Sequence, residues 1–244
     1  MSNTNSIAFH KGSDPKMIAA SQKARETFRL FWNQVALDIN RIVLAIETAC
    51  LKVPFSEDVN GKMKVEQMWV EQIYFDGVAV TGTLVNFPRW LTAFKEGDEV
   101  IFPVSQISDW LCVIDEKVYG AYTIQVLRSS MDGGERANHD KAWGLAFPTP
   151  DTVLLPEKNA KFEGIIANLL KEQLEKDRSI LSSPFDEGRT LLHLEALYGR
   201  APSVRVLLDY GANPSTPCSR GWTARDYAQS LQWDSVLALL DTHA

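Results

Sequence analysis

The chain has 244 residues, of which 45% are hydrophobic and 23% charged, a composition typical of a folded globular protein. Aspartate and glutamate outnumber lysine and arginine by 31 to 25, so the formal net charge is −6. This charge argues against a nucleic-acid binder whose affinity comes from cationic side chains on phosphates, and it fits a basic protein partner better.

The apolar runs are too short to cross a bilayer. The longest, such as Ile42–Ile46 and Val236–Leu240, fall far short of the roughly 20 residues that a membrane helix needs. The first ten residues are polar and lack an export signal, so we expect a cytoplasmic protein with no membrane partner. The odd number and wide spacing of Cys50, Cys112 and Cys218 predict buried free thiols rather than disulfides or a metal site.

The chain begins with residues 1–13, which we predict to be a disordered lead. Asp14-Pro15 then gives a cap followed by proline at the first helical position, so a helix should start there. Apolar residues recur at three- and four-residue spacing from Met17 to Ile39, and they predict one buried stripe. The next stretch, Ile42–Val53, reads equally as a helix or a strand closed by Pro54.

From Val65 the apolar period changes to two, which is typical of strands. Asp76-Gly77 predicts a hairpin turn. The further strands predicted along the chain are Val78–Val85, Glu99–Val104, Ser108–Ile114 and Val118–Leu127. Residues 14–129 should therefore form an α+β domain, in which the N-terminal helix packs on a small curled antiparallel β-sheet or barrel.

Residues 130–160 are rich in glycine and proline, and we predict an extended connector. The apolar stretch Trp143–Phe147 within it should lie along a flanking domain. After the connector, apolar residues from Phe162 to Leu174 fall on one face of a helix.

The C-terminal part is a repeat with the ankyrin period. At an offset of 33 residues Gly188 aligns with Gly221, and Leu207 aligns with Leu240. The first copy resembles the ankyrin pattern down to its Gly-Ala-Asn turn, and the resemblance covers residues 186–244. It departs from the pattern at Leu191, Glu195 and Arg225, where proline, a small residue and leucine are usual. Because roughly three repeats are needed for a stable array, residues 161–244 should form an all-α ankyrin domain of a capping helix and two repeats.

The first domain resembles the YegJ-like family of bacterial domains of unknown function over residues 14–129. The motifs that carry the resemblance are Asp14-Pro-Lys-Met, Met68-Trp-Val-Glu, Gly82-Thr-Leu-Val-Asn86, Lys95-Glu-Gly-Asp98, Ile107-Ser-Asp-Trp110 and Gly120-Ala-Tyr-Thr-Ile124. The family has no established chemistry. Joined to ankyrin repeats, it resembles an immunity protein of the TsiT type, which implies a cognate type VI secretion toxin, such as a nuclease, as the partner.

No catalytic, metal or phosphate-binding motif stands out in the sequence, so we expect no enzyme and no cofactor. His193 occupies the ankyrin Thr-x-x-His position and should bond loop backbone, whereas His139 lacks a second metal ligand at a useful spacing. Asp109, beside Trp110, is either a recognition site or a cap for a loop, and we favour the cap.

Binding to a protein remains the best-supported use of the surface. Arg89 and Trp90 lie in a loop, and arginine and tryptophan often dominate interfaces, although burial of this pair against the sheet is equally consistent with the sequence. In the repeats, the loop tips and inner helix face would contribute Arg189, Tyr198, Ser219, Arg220 and Trp222, and the alternative for Trp222 is that it covers the repeat core.

Our first hypothesis is an immunity protein that neutralises a cognate toxin by stoichiometric binding. One alternative is a small-ligand-binding or enzymatic β domain, with a polar pocket near Trp69, Asp109 and Trp110 and an ankyrin targeting arm. The other is an adaptor for an endogenous protein.

Overall fold

The computed structural model describes residues 14–243, which form two compact units. The first unit contains residues 14–31 and 43–156, and the second contains residues 32–42 and 157–243. No helix in the described part of the chain is both long and apolar enough to cross a membrane. The α+β fold class predicted from the sequence is confirmed.

Helix α1, Pro15–Asp38, starts where the sequence predicts. The Asp14 carboxylate accepts the Lys16 N–H at 2.8 Å, and proline occupies the first helical position, where no N–H is required. The residues before Asp14 lie outside the described part of the chain, so the predicted disordered lead is not described. Residues of α1 contribute to both compact units.

Six antiparallel strands form one sheet in the order β4-β3-β2-β1-β5-β6. They are β1 Ile46–Val59, β2 Lys62–Phe75, β3 Ala79–Leu84, β4 Glu99–Pro103, β5 Asp109–Ile114 and β6 Lys117–Gly120. The segment Ile42–Val53, which the sequence allowed to be a helix or a strand, is therefore mainly a strand. Strand β1 continues beyond Pro54 to Val59. The pairing of β1 with β5 stops at Lys52, so proline lies where β1 has lost its neighbour on that side.

One face of the sheet packs against the first part of α1. The Trp110 indole N–H donates to the Ala24 carbonyl oxygen at 3.0 Å, and the Phe31 ring lies 5.7 Å from the Trp110 ring. The Phe28 ring meets the Phe75 ring edge-on at 5.5 Å. Large apolar side chains buried on both elements thus form the core of the first unit.

The strand predicted over Val118–Leu127 is wrong in its second half. Strand β6 ends at Gly120, and helix α2 covers Tyr122–Ser129. Gly120 and Ala121 have left-handed backbone angles, with φ of 73° and 58°, and these angles turn the chain out of the sheet. The apolar residues of this stretch suit a strand as well as a helix, so their pattern alone did not separate the two.

The predicted extended connector is also partly wrong, because helix α3 covers Gly133–Trp143. Asp132 caps the helix in a capping box with Glu135, and Gly144 ends it in the left-handed conformation. The expectation for the apolar stretch that follows is confirmed. Leu145 and Phe147 pack against the buried cluster on the second face of the sheet.

The second unit contains five further helices, α4 Ala160–Lys176, α5 Leu191–Tyr198, α6 Ala201–Asp209, α7 Ala224–Ser230 and α8 Asp234–Asp241. Helix α4 packs on α6 and α6 on α8, while α5 packs on α7. The helices α5 and α6, and then α7 and α8, are the two ankyrin repeats, and α4 lies beside the first of them. This arrangement agrees with the predicted order of a helix followed by two repeats.

The end of α1 completes this unit, which the sequence did not predict. The Trp32 ring packs on the Tyr198 ring at 5.9 Å. The Asn33 side-chain amide donates to the Tyr198 carbonyl oxygen at 3.0 Å and to the Glu163 carboxylate of α4 at 3.3 Å. The end of α1 contacts α4 and the first repeat through these side chains, on the side where a preceding repeat would otherwise lie.

The same contacts explain why Glu195 replaces a small ankyrin residue. Glu195 is buried and forms an ion pair with Arg200 at 3.2 Å, and Arg200 also donates to the carbonyl oxygen of Ala36 in α1. Burial raises the pKa of Glu195, and the Arg200 guanidinium acts in the opposite direction. Glu195 thus positions Arg200, whose guanidinium bonds α1 to the repeat.

Candidate functional site

The loop of residues 85–98, which we call the β3–β4 loop, carries both Arg89 and Trp90. Its backbone is held by a carboxylate from β2. Glu66 accepts the Arg89 N–H with both oxygens, at 2.8 and 2.9 Å, and the Trp90 N–H at 3.1 Å. Charge-assisted hydrogen bonds of this kind are stronger than neutral ones, so Glu66 fixes the backbone at both predicted residues.

A second carboxylate holds the next part of the β3–β4 loop. Glu57 of β1 accepts the Thr92 N–H and the Thr92 hydroxyl, both at 2.6 Å, and the Ala93 N–H at 3.0 Å. These hydrogen bonds, led by that from the Thr92 hydroxyl, lower the pKa of Glu57. The carboxylate is therefore ionised at neutral pH and adds three charge-assisted hydrogen bonds to the β3–β4 loop.

The β3–β4 loop presents aromatic side chains to solvent. Trp90 is 43% exposed and Phe87 is 77% exposed. The Arg89 guanidinium lies 5.3 Å from the centre of the Trp90 ring, and the Lys64 ammonium lies 5.9 Å from it. An exposed Trp90 ring beside two cations, with the exposed Phe87 on the same loop, has the composition of an interface hot spot.

Phe87 and the roles of both carboxylates were not predicted from the sequence. Both carboxylates bind loop backbone. The available signal was the run Asn86-Phe-Pro-Arg-Trp90, in which Phe87 stands beside a proline that bars it from a central strand. Nothing in the linear pattern connects Glu57 or Glu66 to a loop more than twenty residues away.

Asp109 is a cap, as we favoured from the sequence. Its carboxylate accepts the Trp110 N–H and Tyr122 N–H at 2.9 Å, the Thr123 N–H at 2.7 Å and the Thr123 hydroxyl at 2.6 Å. The two donors from the start of α2 are the N–H groups that a helix leaves free. Burial raises the pKa of Asp109, while the Thr123 hydroxyl and the Lys52 ammonium oppose that shift.

The pocket required by the enzymatic alternative is absent from the described structure around Asp109. Both Asp109 and Trp110 are fully buried, and Trp110 is enclosed by the rings of Phe31 and Tyr122. A Cβ added at Gly120 would lie 2.4 Å from the Trp110 ring, so the packing leaves no space there. Trp69 lies on the sheet face opposite to Trp110, against Trp143, and shares its face with Asp109, because both residues pair with Lys52.

The two histidines singled out from the sequence make different contacts. His193 bonds Thr190 through Nδ1 at 2.9 Å, and its Nε2 lies 3.0 Å from the Thr216 carbonyl oxygen, which confirms the predicted structural role. The His139 ring lies 2.9 Å from Asp140, whose carboxylate also accepts two N–H groups from the buried Arg128. Among the described residues, no group of three or more His, Cys, Asp or Glu side chains is arranged to hold a metal ion.

The residues predicted to bind a partner from the repeats do not all reach the surface. Arg189 is only 4% exposed, so its assignment to a binding surface is wrong. Its side chain turns inward and donates to the Asp186 carbonyl oxygen at 3.2 Å. Tyr198 is half-buried beneath Trp32, and it is therefore part of the packing.

The loop tip before α7, residues 219–222, is partly accessible. Ser219 and Arg220 are exposed, and Arg220 forms an ion pair of 2.7 Å with Glu187 in the tip before α5. Trp222 is half-buried and packs edge-on against Tyr227 at 5.2 Å. The structure thus leaves Ser219 and Arg220 as the more accessible predicted residues of the repeat. Cys50, Cys112 and Cys218 are buried, and none of them forms a disulfide in the described part of the chain, as expected.

Comparison with known proteins supports the two-part organisation. Residues 14–147 match the family described as an uncharacterized protein conserved in bacteria, DUF2314, and residues 182–228 match ankyrin repeats. A protein of Neisseria meningitidis serogroup B whose name describes an ankyrin repeat protein is 37% identical over 245 residues, which cover 96% of each chain. Protein YegJ of Escherichia coli K12 is 28% identical over 81 residues, which cover 33% of this chain and 50% of YegJ.

No solved structure matches the chain. Ankyrin repeats bind proteins, so the partners of this chain are of that class. The family match spans more than half of the chain and contains the sheet, the β3–β4 loop and the Asp109 cap. The chain therefore belongs to the DUF2314 family of bacterial proteins, joined here to ankyrin repeats.

Proposed function

We propose that this protein is a non-enzymatic immunity protein of the bacterial cytoplasm. It binds a cognate secreted toxin, such as a type VI effector, in a stoichiometric complex and thereby neutralises it. The observation that carries the binding role is the exposed set Phe87, Arg89 and Trp90 on a loop fixed by Glu57 and Glu66. The toxin as partner comes from the resemblance to immunity proteins.

A fixed loop suits tight binding. Ordering a mobile loop on association costs about 0.5–1.5 kcal/mol for each immobilised side chain. This cost is smaller for a loop whose backbone is already held by hydrogen bonds in the free protein. The Glu66 carboxylate holds Arg89 and Trp90 before any partner arrives. Tryptophan and arginine side chains that become buried in an interface are also the ones whose truncation most often weakens a complex.

The charge of the chain supports a basic partner. Acidic clusters lie at Glu57-Asp58, Glu96–Glu99 and Asp115-Glu116, and the net charge is −6. A nuclease toxin is cationic where it tracks phosphate, and complementary charge speeds its encounter with an acidic inhibitor. An adaptor for an endogenous protein would use the same surface, so the identity of the partner separates the two functions.

The test is a tagged pull-down of the full chain from its native bacterium, with mass spectrometry of proteins recovered near one to one. A secreted effector is the expected partner, and a housekeeping protein would favour the adaptor. Recovery of no protein under repeated conditions would contradict the proposal.

Variants then locate the interface. Trp90→Ala should weaken the recovered complex by about 2 kcal/mol, or roughly 30-fold. Phe185→Ala is the matched control, because Phe185 is a similarly exposed aromatic residue, at 48%, in the other unit. If Arg220→Glu leaves the affinity unchanged, the repeat tip is not part of the interface. Equal affinity of Trp90→Ala and wild type would remove the β3–β4 loop from it.

A further inference from the structure

Strand β4 and the outer half of β1 both have an unpaired side. Strand β4 is the last strand on its side of the sheet, where it pairs with β3 alone. Strand β1 pairs with β5 only as far as Lys52, although it continues to Val59. Unpaired strand edges present N–H and C=O groups that can pair with another chain.

A cleft of about 410 Å³ lies between these two unpaired sides. Its lining includes Pro54, Phe55 and Ser56 from β1, and Glu99, Val100 and Ile101 from β4. Ile101 is 68% exposed although it is a large apolar side chain. The sheet therefore curls enough to bring two strands towards each other without pairing them.

Hydrogen bonds next to the cleft show which backbone groups face it. The Leu84 N–H of β3 donates to the Asp98 carbonyl oxygen at 2.9 Å, so Asp98 faces β3. Because successive residues of a strand alternate in direction, Val100 also faces β3, whereas Glu99 and Ile101 direct their backbone groups away from it. The Ile101 N–H thus points to the unpaired side of β4.

The residues of β1 alternate in the same way. The Ser108 N–H donates to the Lys52 carbonyl oxygen at 2.8 Å, so Lys52 faces β5, and Pro54 and Ser56 face that side by alternation. Pro54 on β1 and Pro103 on β4 both occupy outward-facing positions, where the missing N–H breaks no pairing within the sheet. The two prolines leave room for only a short added strand.

We propose that this cleft receives an extended segment of the protein partner, which pairs with β4 as a short added strand. This proposal rests on the proposed function, since it specifies how the partner is recognised. Glu99 is the one charged side chain that lines the cleft, and its carboxylate favours a segment that carries lysine or arginine. Backbone pairing at Ile101 would supply affinity, and the adjoining side chains would supply specificity.

The probe is a seven-residue peptide of alternating valine and threonine with a central lysine, titrated into the full chain. Amide hydrogen exchange, resolved by NMR, should show the Ile101 N–H exchanging rapidly in the free protein and at least about fivefold more slowly with the peptide. A peptide with glutamate in place of lysine should bind more weakly. Unchanged exchange at Ile101, or a slow Ile101 N–H in the free protein, would overturn the proposal.

Two variants at Ile101 separate the contribution of its backbone N–H to peptide binding from that of its side chain. Ile101→Pro removes the outward N–H and should weaken peptide binding by about tenfold, the value of one hydrogen bond lost at an interface. Ile101→Thr keeps the N–H and should bind within about threefold of wild type. If Ile101→Pro does not fold, the exchange measurement on the wild type decides the matter. Equal peptide binding by both variants would overturn the proposal.

The peptide assay and the pull-down fail independently. Peptide binding at β4 without any recovered protein would contradict the proposed function and leave the cleft as a strand receptor. Recovery of a toxin that binds Ile101→Pro as tightly as wild type would support the proposed function and remove the cleft from it.

Discussion

Replacement of Asp109 should have the largest effect of any single polar substitution in the first unit. The side chain is fully buried, and its two oxygens accept three backbone N–H groups and one hydroxyl. Asp109→Ala would leave these donors without an acceptor in a space closed to water. Each buried donor left unpaired costs about 1–3 kcal/mol, so the three backbone groups alone cost about 3–9 kcal/mol. This range overlaps the whole stability of a typical domain, about 5–15 kcal/mol.

Two milder variants test the origin of that cost. Asp109→Asn keeps one acceptor oxygen and directs an amide N–H₂ at two donors, so about 2–6 kcal/mol should be lost. Thr123→Val removes the hydroxyl donor to Asp109 and the acceptor of a long, 3.4 Å bond from the Lys52 ammonium, and it should cost about 1 kcal/mol. Asp58→Asn is the matched control, because Asp58 is exposed on the same sheet and a surface change of this kind stays within about 0.5 kcal/mol.

Urea unfolding followed by circular dichroism would measure these differences, and hydrogen exchange over residues 117–129 would locate them. We expect exchange in α2 to accelerate most in the Asp109 variants, because the lost bonds are at its first turn. An unfolding midpoint for Asp109→Asn equal to that of Asp58→Asn would refute the reasoning, since it would mean that water or another group satisfies the donors.

Further predictions concern the repeats, each measured by urea unfolding of the full chain. Leu207→Ala empties a fully buried site and should cost about 2–5 kcal/mol, whereas Arg220→Glu on the exposed tip should change stability by less than about 1 kcal/mol. Gly199→Ala should cost more than about 1 kcal/mol, because the backbone has φ of 72° and the new Cβ would lie 2.4 Å from the Trp233 ring. Burial lowers the pKa of His193, so the neutral ring stabilises the fold above pH 6.5 and that contribution is lost as the pH falls below it. His193→Gln should lessen this acid sensitivity, and an unchanged pH profile would contradict the assignment.

The sequence motifs of the first domain have a physical reason that only the fold makes visible. Ile107-Ser-Asp-Trp110 and Gly120-Ala-Tyr-Thr-Ile124 are separate in the chain, yet Asp109 caps the turn that Tyr122 and Thr123 begin. Gly120 is needed because no side chain fits against Trp110. The two motifs are therefore the two halves of one buried contact.

Local pattern determined much of this protein. A period of two predicted the strands around Asp76-Gly77, because alternate residues of a half-buried strand meet core and solvent. The ankyrin offset predicted the helix pairs, and the resemblance to the ankyrin pattern implied the structural role of His193, whose ring bonds loop backbone.

Tertiary structure decided what depends on residues far apart in the chain. Helix α2 replaces a predicted strand because Asp109, thirteen residues earlier, accepts its first N–H groups. The end of α1 completes the repeat unit through Asn33 and Arg200, and the β3–β4 loop is held by Glu57 and Glu66 from other strands. Sequence periodicity reports which residues are buried along one element, but it carries no information on which distant donor and acceptor folding will bring together.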